Sequence, residues 1–261
     1  MPINGSLLVW LSYFLLIVIR MSGVFVASPI LGRANIPRTV RVLLSVMLSF
    51  IVVGMIVPPT PQAIETGLAG YVIMCVKELL IGVCIGFVNT LFFSAVFVAG
   101  QMIDMQIGFG MVQIFDVQSN IQIPIVGSVL NLMLLEAFVL TNGHIRIIQF
   151  IYKTYELIPI GKVSFGAEIG TVMLAAFVQA FLLAINIAMP IIASGLLTEV
   201  ALGIIVRTSP QMNVFVVGIS LKVILGLIML YLIVPVFTRF CGVLFDDMYH
   251  SMDSVIRVMA G

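Results

Sequence analysis

Long uninterrupted apolar runs constrain this chain more than any other feature of its sequence. A helix that crosses the hydrocarbon layer of a membrane, about 30 Å thick, needs about 20 apolar residues. Runs of this kind lie near residues 7–31, 42–57, 68–103, 122–140, 169–206 and 212–237. Hydrophobic residues make up 62% of the chain and charged residues only 9%, against roughly 25% charged residues in soluble domains. The sequence therefore predicts an all-α, multi-helix integral membrane protein.

Two of these runs are too long for one straight crossing. At about 1.5 Å of rise per residue, runs 68–103 and 169–206 would each exceed about 50 Å as single helices. Each helix must therefore break, tilt or leave the bilayer, which predicts kinked and over-long apolar helices. The residues that could interrupt them are Gly82, Gly86 and Asn89 in the first run and Pro190 and Gly195 in the second.

No internal repeat, low-complexity segment or Gly/Ser linker divides the sequence. Residues 1–261 are therefore predicted to form a single helical membrane domain. In the C-terminal segment 238–261, apolar residues recur at helical spacing with charged residues between them. We expect an amphipathic tail that lies on the membrane surface or against a partner.

Charge and residue usage exclude several function classes. The net charge is only +1, from 12 Lys and Arg against 11 Asp and Glu, so a nucleic-acid partner has no electrostatic support. The three cysteines are an odd and widely spaced set, and the two histidines, His144 and His250, stand apart. We therefore expect no disulfide framework, metal site or cofactor. The motifs of metalloprotease, serine hydrolase and nucleotide-binding sites are also absent from the sequence, so an enzyme is the weakest class.

Charged residues inside two apolar runs are bracketed by glycines. A charge within a membrane helix costs about 2.5–3.5 kcal/mol on insertion scales and so requires a partner. Small residues beside it let a second helix backbone approach closely. We predict that both stripes are helix or subunit interfaces; the alternative, a proton or ion relay, is disfavoured by the wide dispersion of the charges. The stripes are Glu78, Gly82 and Gly86, and Gly218, Lys222 and Gly226.

The stretch 104–120 is too apolar for a solvated loop and too rich in glycine for a continuous helix. Glycines permit tight backbone turns, and methionines fill irregular gaps without fixing one shape. Such a segment is suited either to plug an opening or to form a re-entrant turn, and the residues alone leave both interpretations open. Its distinguishing residues are Gly108, Phe109, Gly110, Met111, Phe115 and Asp116.

Several separated motifs occur in a fixed order along the chain. They are Arg20 with Phe25 and Pro29, Glu78 with Gly82 and Gly86, Gly100 through Gly108, Phe115 with Asp116, Asn142 through His144, and Ile158 through Gly161. The most specific motif follows them and comprises Arg207, Pro210, Gln211, Asn213 and Phe215. On these motifs the chain resembles, over essentially its whole length, the FliR family, the flagellar member of the FliR/SpaR group of type III secretion export-gate proteins.

The resemblance implies partners and a role for the glycine-rich stretch. In this family one FliR-like subunit joins several FliP-like and FliQ-like subunits in a helical funnel, through which unfolded flagellar proteins pass. A FlhB-like subunit wraps the base of the funnel. The family's loop that plugs the funnel maps to about residues 107–124 here. Val117 stands where proline usually follows the Phe-Asp pair, so the detailed shape of the loop is not transferred.

The resemblance therefore implies a core subunit of the flagellar protein-export gate, without enzymatic activity. It implies a multi-pass protein of the bacterial inner membrane, located in the flagellar basal body, with membrane lipid and exported flagellar proteins among its partners. Use in an injectisome stays open, because both machines share this gate design. The alternative from another class is a small-solute secondary transporter or channel, although the two long runs lack the matching pattern that transporter halves show.

Overall fold

The computed structural model describes residues 3–28, 37–55, 67–110, 124–208 and 214–261. This part of the chain contains seven α-helices and no strand, which confirms the predicted all-α fold. The helices are α1 (Ile3–Ala27), α2 (Arg38–Met55), α3 (Leu68–Ile107), α4 (Ile125–Leu140), α5 (Gly143–Leu157), α6 (Glu168–Thr208) and α7 (Val214–Ala260).

Five of the helices, α1, α2, α3, α6 and α7, are long and apolar enough to cross a membrane. The pair α4 and α5 is bent by 67° and adds a sixth crossing if it forms one span. Asn142 makes this bend with a left-handed backbone conformation, φ 56°, which asparagine tolerates better than most residues. The predicted multi-pass membrane architecture is therefore confirmed.

Helices α3, α6 and α7 are continuous over 40, 41 and 47 residues. The interruptions considered from the sequence do not occur, because α3 runs through Gly82 and Asn89 and α6 runs through Pro190. Each helix is about 60 Å or longer at 1.5 Å per residue. Since none of them breaks, such lengths fit a membrane by tilting, by kinking within a continuous helix or by extending beyond the hydrocarbon layer.

The described chain divides into two compact units, and the divisions fall within α3, α6 and α7 and between α4 and α5. The first unit comprises residues up to Leu91, then Asn142–Phe177 and Asp247–Gly261. Its core contains apolar side chains of α1, α3, α5 and the end of α7, among them Ile17, Met21, Ile81, Ile151 and Met252.

The second unit comprises Phe92–Thr141 and Val178–Asp246. Three rings form its aromatic cluster: Phe138 meets Phe93 and Phe245 edge to face, with both centroid distances at 5.5 Å. Offset and edge-to-face geometry of this kind is preferred because the ring edge is positive and the ring face negative. The buried residues Val96, Ile103, Leu134 and Ala184 extend this core.

The segment 238–261 is the end of α7 and continues that helix without interruption. Many of its apolar side chains, including Met248, Met252 and Met259, are buried, whereas Val243 is exposed. On its polar side Asp253 accepts a hydrogen bond from Lys153 at 2.8 Å and one from Arg257 at 2.6 Å. The apolar and polar sides of this segment therefore follow the helical period seen in the sequence.

Candidate functional site

Two opposite charges are fully buried in the first unit. Arg20 of α1 and Glu78 of α3 are both 0% exposed, and Nε of the arginine donates to Oε2 of the glutamate at 2.5 Å. A buried charge is tolerated only where it is paired and hydrogen-bonded. Glu78 was predicted to need a partner, but sequence reasoning missed Arg20; the signal was a basic residue inside the first apolar run.

The remaining polar atoms of this pair also have partners. Arg20 donates to Oγ1 of Thr154 at 3.3 Å and to the carbonyl oxygen of Ile158 at 3.1 Å. Its guanidinium carbon lies 4.2 Å from the centre of the Tyr155 ring, a favourable cation–π distance. The second oxygen of Glu78 accepts the Gly161 N–H at 3.0 Å. One ion pair thus connects α1, α3, α5 and the segment that follows α5.

The glycines beside Glu78 lie where α1 and α3 touch through their backbones. A Cβ atom on Gly82 would stand 2.2 Å from the carbonyl oxygen of Arg20. A Cβ atom on Gly86 would stand 2.6 Å from the side chain of Ala27. Both separations are far below van der Waals contact, so only glycine fits at this approach. The first glycine stripe therefore lies at a helix contact within the chain.

The second stripe belongs to the second unit. Nζ of Lys222 in α7 donates to Oε1 of Glu199 in α6 at 2.6 Å, and the two side chains are 26% and 47% exposed. This ion pair connects α6 to α7. A Cβ atom on Gly226 would meet Ile107 at 2.5 Å, whereas one on Gly218 would lie 3.3 Å from Leu202.

The ends of the predicted plug segment are only partly described. Gly108 ends α3 with φ +98°, and its N–H bonds to the carbonyl oxygen of Asp104 at 3.1 Å. Glycine is favoured at this position because side chains crowd the backbone at positive φ. Phe109 and Gly110 are half-buried. Three predicted residues, Met111, Phe115 and Asp116, lie outside the described residues.

The specific motif near residue 210 is also partly outside this range. Arg207 lies in the last turn of α6 and is exposed. Phe215 lies in the first turn of α7, where only the helical backbone is described. Pro210, Gln211 and Asn213 fall in the connection between these helices, outside the described residues.

Cysteines and possible metal ligands are dispersed in the part of the chain that the structure describes. No group of three or more His, Cys, Asp or Glu side chains there could hold a metal ion. Cys75, Cys84 and Cys241 are free thiols.

The model of the family "Bacterial export proteins, family 1" matches residues 11–248. The chain belongs to this family. The flagellar biosynthetic protein FliR of Bacillus subtilis (strain 168) is 34% identical over 220 residues, which cover 83% of this chain and 84% of that protein. FliR of Aquifex aeolicus (strain VF5) is 31% identical over 247 residues, or 95% and 93% of the two chains. FliR of Escherichia coli (strain K12) is 26% identical over 247 residues, or 95% and 94%.

The resemblance to the FliR family is therefore confirmed. Together with the five spanning helices, membership in the family of bacterial export proteins confirms the predicted location in the cell membrane and the role in the flagellar type III export apparatus. The chain is one component of that apparatus.

We predict that losing either partner of the buried ion pair strongly destabilises the protein. Arg20→Ala and Glu78→Ala should each cost about 3–5 kcal/mol, because the other charge stays buried and unpaired. Thermal unfolding of the purified protein in mild detergent measures this loss. The control is Lys153→Ala, which removes an exposed ion pair worth about 1 kcal/mol or less. Equal stability of Arg20→Ala and the control would contradict a structural role for the buried pair.

We predict that Gly82→Ala destabilises the protein by about 1–3 kcal/mol, because the added methyl group would push α1 and α3 apart. Gly242→Ala is the matched control, since nothing lies within 4 Å of its added Cβ atom. That control should be neutral or stabilising by up to about 1 kcal/mol through helix propensity. The same thermal unfolding assay compares the two. An unchanged or raised unfolding temperature for Gly82→Ala would show that the contact with α1 is looser than described.

Proposed function

We propose that this chain is a non-enzymatic core subunit of the flagellar type III export gate. In this proposal it assembles with FliP-like and FliQ-like subunits, a FlhB-like subunit contacts the assembly, and residues 107–124 plug the channel for unfolded flagellar proteins. The observation that carries the proposal is the family match over residues 11–248. Passage of a protein chain through such a gate requires no covalent chemistry, which agrees with the absence of catalytic motifs from the sequence.

The length of the exposed apolar face of α6 supports assembly with other subunits. Large apolar side chains are exposed from Leu174 to Val206, a distance of about 48 Å along the helix. Even at a tilt of about 40°, the upper end of the usual range, this face would span roughly 37 Å. The hydrocarbon layer covers only about 30 Å. We therefore expect other subunits to bury the part of this apolar face that extends beyond the hydrocarbon layer.

Helix α7 supports the same conclusion. Its exposed apolar side chains extend from Val217 to Val243, about 39 Å along the helix. Only 11% of its most apolar window is buried within the chain, against 56% for α3. Exposed apolar area of this extent marks interaction surfaces. Helix α3 thus serves as an internal helix, while α6 and α7 present surface to lipid or to neighbouring subunits.

We predict that native mass spectrometry of this chain, co-expressed with FliP-like and FliQ-like subunits from its own genome, finds one copy in a large mixed complex. The complex should be extracted in mild detergent so that the apolar faces stay covered. Expression without those subunits is the control. A chain that ran alone or as a homodimer in their presence would contradict the proposal and favour a small-solute transporter.

We predict that shortening segment Gly108–Val117 makes the assembled complex leak small solutes while leaving its native mass otherwise unchanged. The reason is that a plug closes the channel through its bulk, whereas the ion pair of Arg20 and Glu78 and the glycine contacts of α1 with α3 lie outside this segment. Efflux of a small fluorescent dye from liposomes that contain the purified complex measures the leak. A shortened complex as tight as the parent complex would refute the plug.

A further inference from the structure

Helix α4 has one exposed face that combines apolar side chains with a single charge. The side chains of Ile125, Val129, Leu132 and Val139 are between 51% and 64% exposed. Glu136, the only charged residue of this helix, is exposed as well. At about 100° per residue, these five positions fall within about 80° of one another around the helix axis. We call this set of five residues the α4 seam.

The opposite side of α4 packs into the core of the second unit. It contributes Phe138 to the aromatic cluster that also contains Phe93 and Phe245. Because this side faces the core, the α4 seam is left without cover from the helices of its own unit. The buried residues of α4 are Val126, Gly127, Leu130, Leu134 and Phe138.

The residues of the α4 seam follow one another at alternating steps of four and three positions. The steps lead from Ile125 to Val129, Leu132, Glu136 and Val139. With this spacing two helices interlock their side chains along a left-handed crossing of about 20°. Bundles of membrane helices mostly adopt the same crossing. The geometry of the α4 seam therefore suits a second helix.

Neither lipid nor water is a good cover for the whole α4 seam. Lipid tails suit its four apolar side chains, but a carboxylate among them is costly and requires a partner. Water suits Glu136 but leaves the four apolar side chains exposed in a continuous row. Glu136 takes part in no salt bridge between described residues. Complete cover therefore requires both apolar side chains and a cation opposite Glu136.

We propose that the α4 seam is a docking surface for a helix of another subunit of the export apparatus, an apolar helix that carries a lysine or arginine opposite Glu136. The inference rests on the proposed assembly with other subunits. Apolar side chains of the partner helix pack between those of the seam, and its cation pairs with Glu136. A charge pair across an interface selects the partner and fixes the register, since like charges in the same position are strongly unfavourable.

Charge reversal tests this pairing in the complex co-expressed with FliP-like, FliQ-like and FlhB-like subunits and extracted in mild detergent. Glu136→Lys should lower the yield of assembled complex about tenfold or more, because two like charges would then meet within the contact. Native mass spectrometry measures this yield. Glu136→Gln, which removes the charge and keeps the size, should have a smaller effect in the same direction. Equal assembly of Glu136→Lys and the parent chain would overturn the proposal.

Glu156→Lys is the matched control. Glu156 is also an exposed glutamate, but it lies on the amphipathic helix α5. The control should assemble like the parent chain, because it makes the same change of charge outside the α4 seam. An equal loss of assembly in the control and in Glu136→Lys would show a general effect of charge and refute a specific pairing.

A photo-crosslinking residue in place of Leu132 identifies what covers the α4 seam. Leu132 lies one helical turn from Glu136 and is the most exposed apolar residue of the seam. The expected product joins this chain to an apolar helix of another subunit that contains a lysine or arginine. Replacing that basic residue by glutamate should restore assembly of Glu136→Lys.

Other cross-linking results contradict the proposal. Products formed only with lipid, with a second copy of this chain or within this chain would show a different cover for the α4 seam. A cross-linked helix without a basic residue, or a charge exchange that does not restore assembly, would likewise refute the pairing with Glu136.

Thermal unfolding of the separately purified variants distinguishes docking from folding. Because the α4 seam lies opposite the core, Glu136→Lys and Glu136→Gln should unfold at the temperature of the parent chain. If only Glu136→Lys fails to fold, Glu136→Gln takes its place, and normal assembly of that variant overturns the proposal. Failure of both to fold would show that Glu136 serves the packing of its own chain, which also overturns it.

The parent chain separates failure of this inference from failure of the proposed function. If the parent chain does not assemble with the other subunits, the proposed function itself fails. If the parent chain assembles and Glu136→Lys assembles equally well, only the docking surface on α4 fails.

Discussion

The buried pair of Arg20 and Glu78 is the interaction on which the first unit depends. Apolar side chains give little direction to helix packing in a membrane, because lipid tails are as apolar as the helices themselves. An ion pair with 0% exposure on both sides is directional, since removing either partner leaves a charge without solvent or counter-charge. The arginine also bonds to Thr154 and Ile158. The side chain of Arg20 in α1 therefore fixes the positions of α3 and α5 relative to α1.

Glycines make this arrangement possible. The carbonyl oxygen of Arg20 lies where a side chain on Gly82 would begin. Arg20 therefore both carries the positive charge of the ion pair and lies where the backbones of α1 and α3 come close together. The pairing and the approach therefore require the same register between α1 and α3. A shift of either helix along its axis would separate the charges and bring larger side chains into the contact. Polar bonding and small-residue packing thus reinforce each other at one position.

Hydropathy predicted most of the fold but not the contacts. The run 68–103 predicted α3 (Leu68–Ile107) closely, since an apolar run is a local property of the sequence. Helix α5 was missed because it is amphipathic and short, with Gly143, Ile147, Ile151, Thr154 and Tyr155 as its buried residues. The partner of Glu78 was missed because 58 residues separate it from Arg20, and spacing along a chain does not reveal which helices meet. The family motifs predicted the plug segment, and most of its residues lie outside the described part of the chain.

The distribution of polar and apolar groups follows from assembly in a membrane. The chain places the ion pair of Arg20 and Glu78 inside, where it specifies the register of α1 and α3. Its outer surfaces on α6 and α7 are apolar over lengths greater than the hydrocarbon layer, and so suit both lipid and other subunits. The side chains that hold the chain's own helices together are therefore different from those that are exposed for contacts with other subunits. A subunit of this kind can keep its own fold while its apolar surface contacts lipid or other components of the export apparatus.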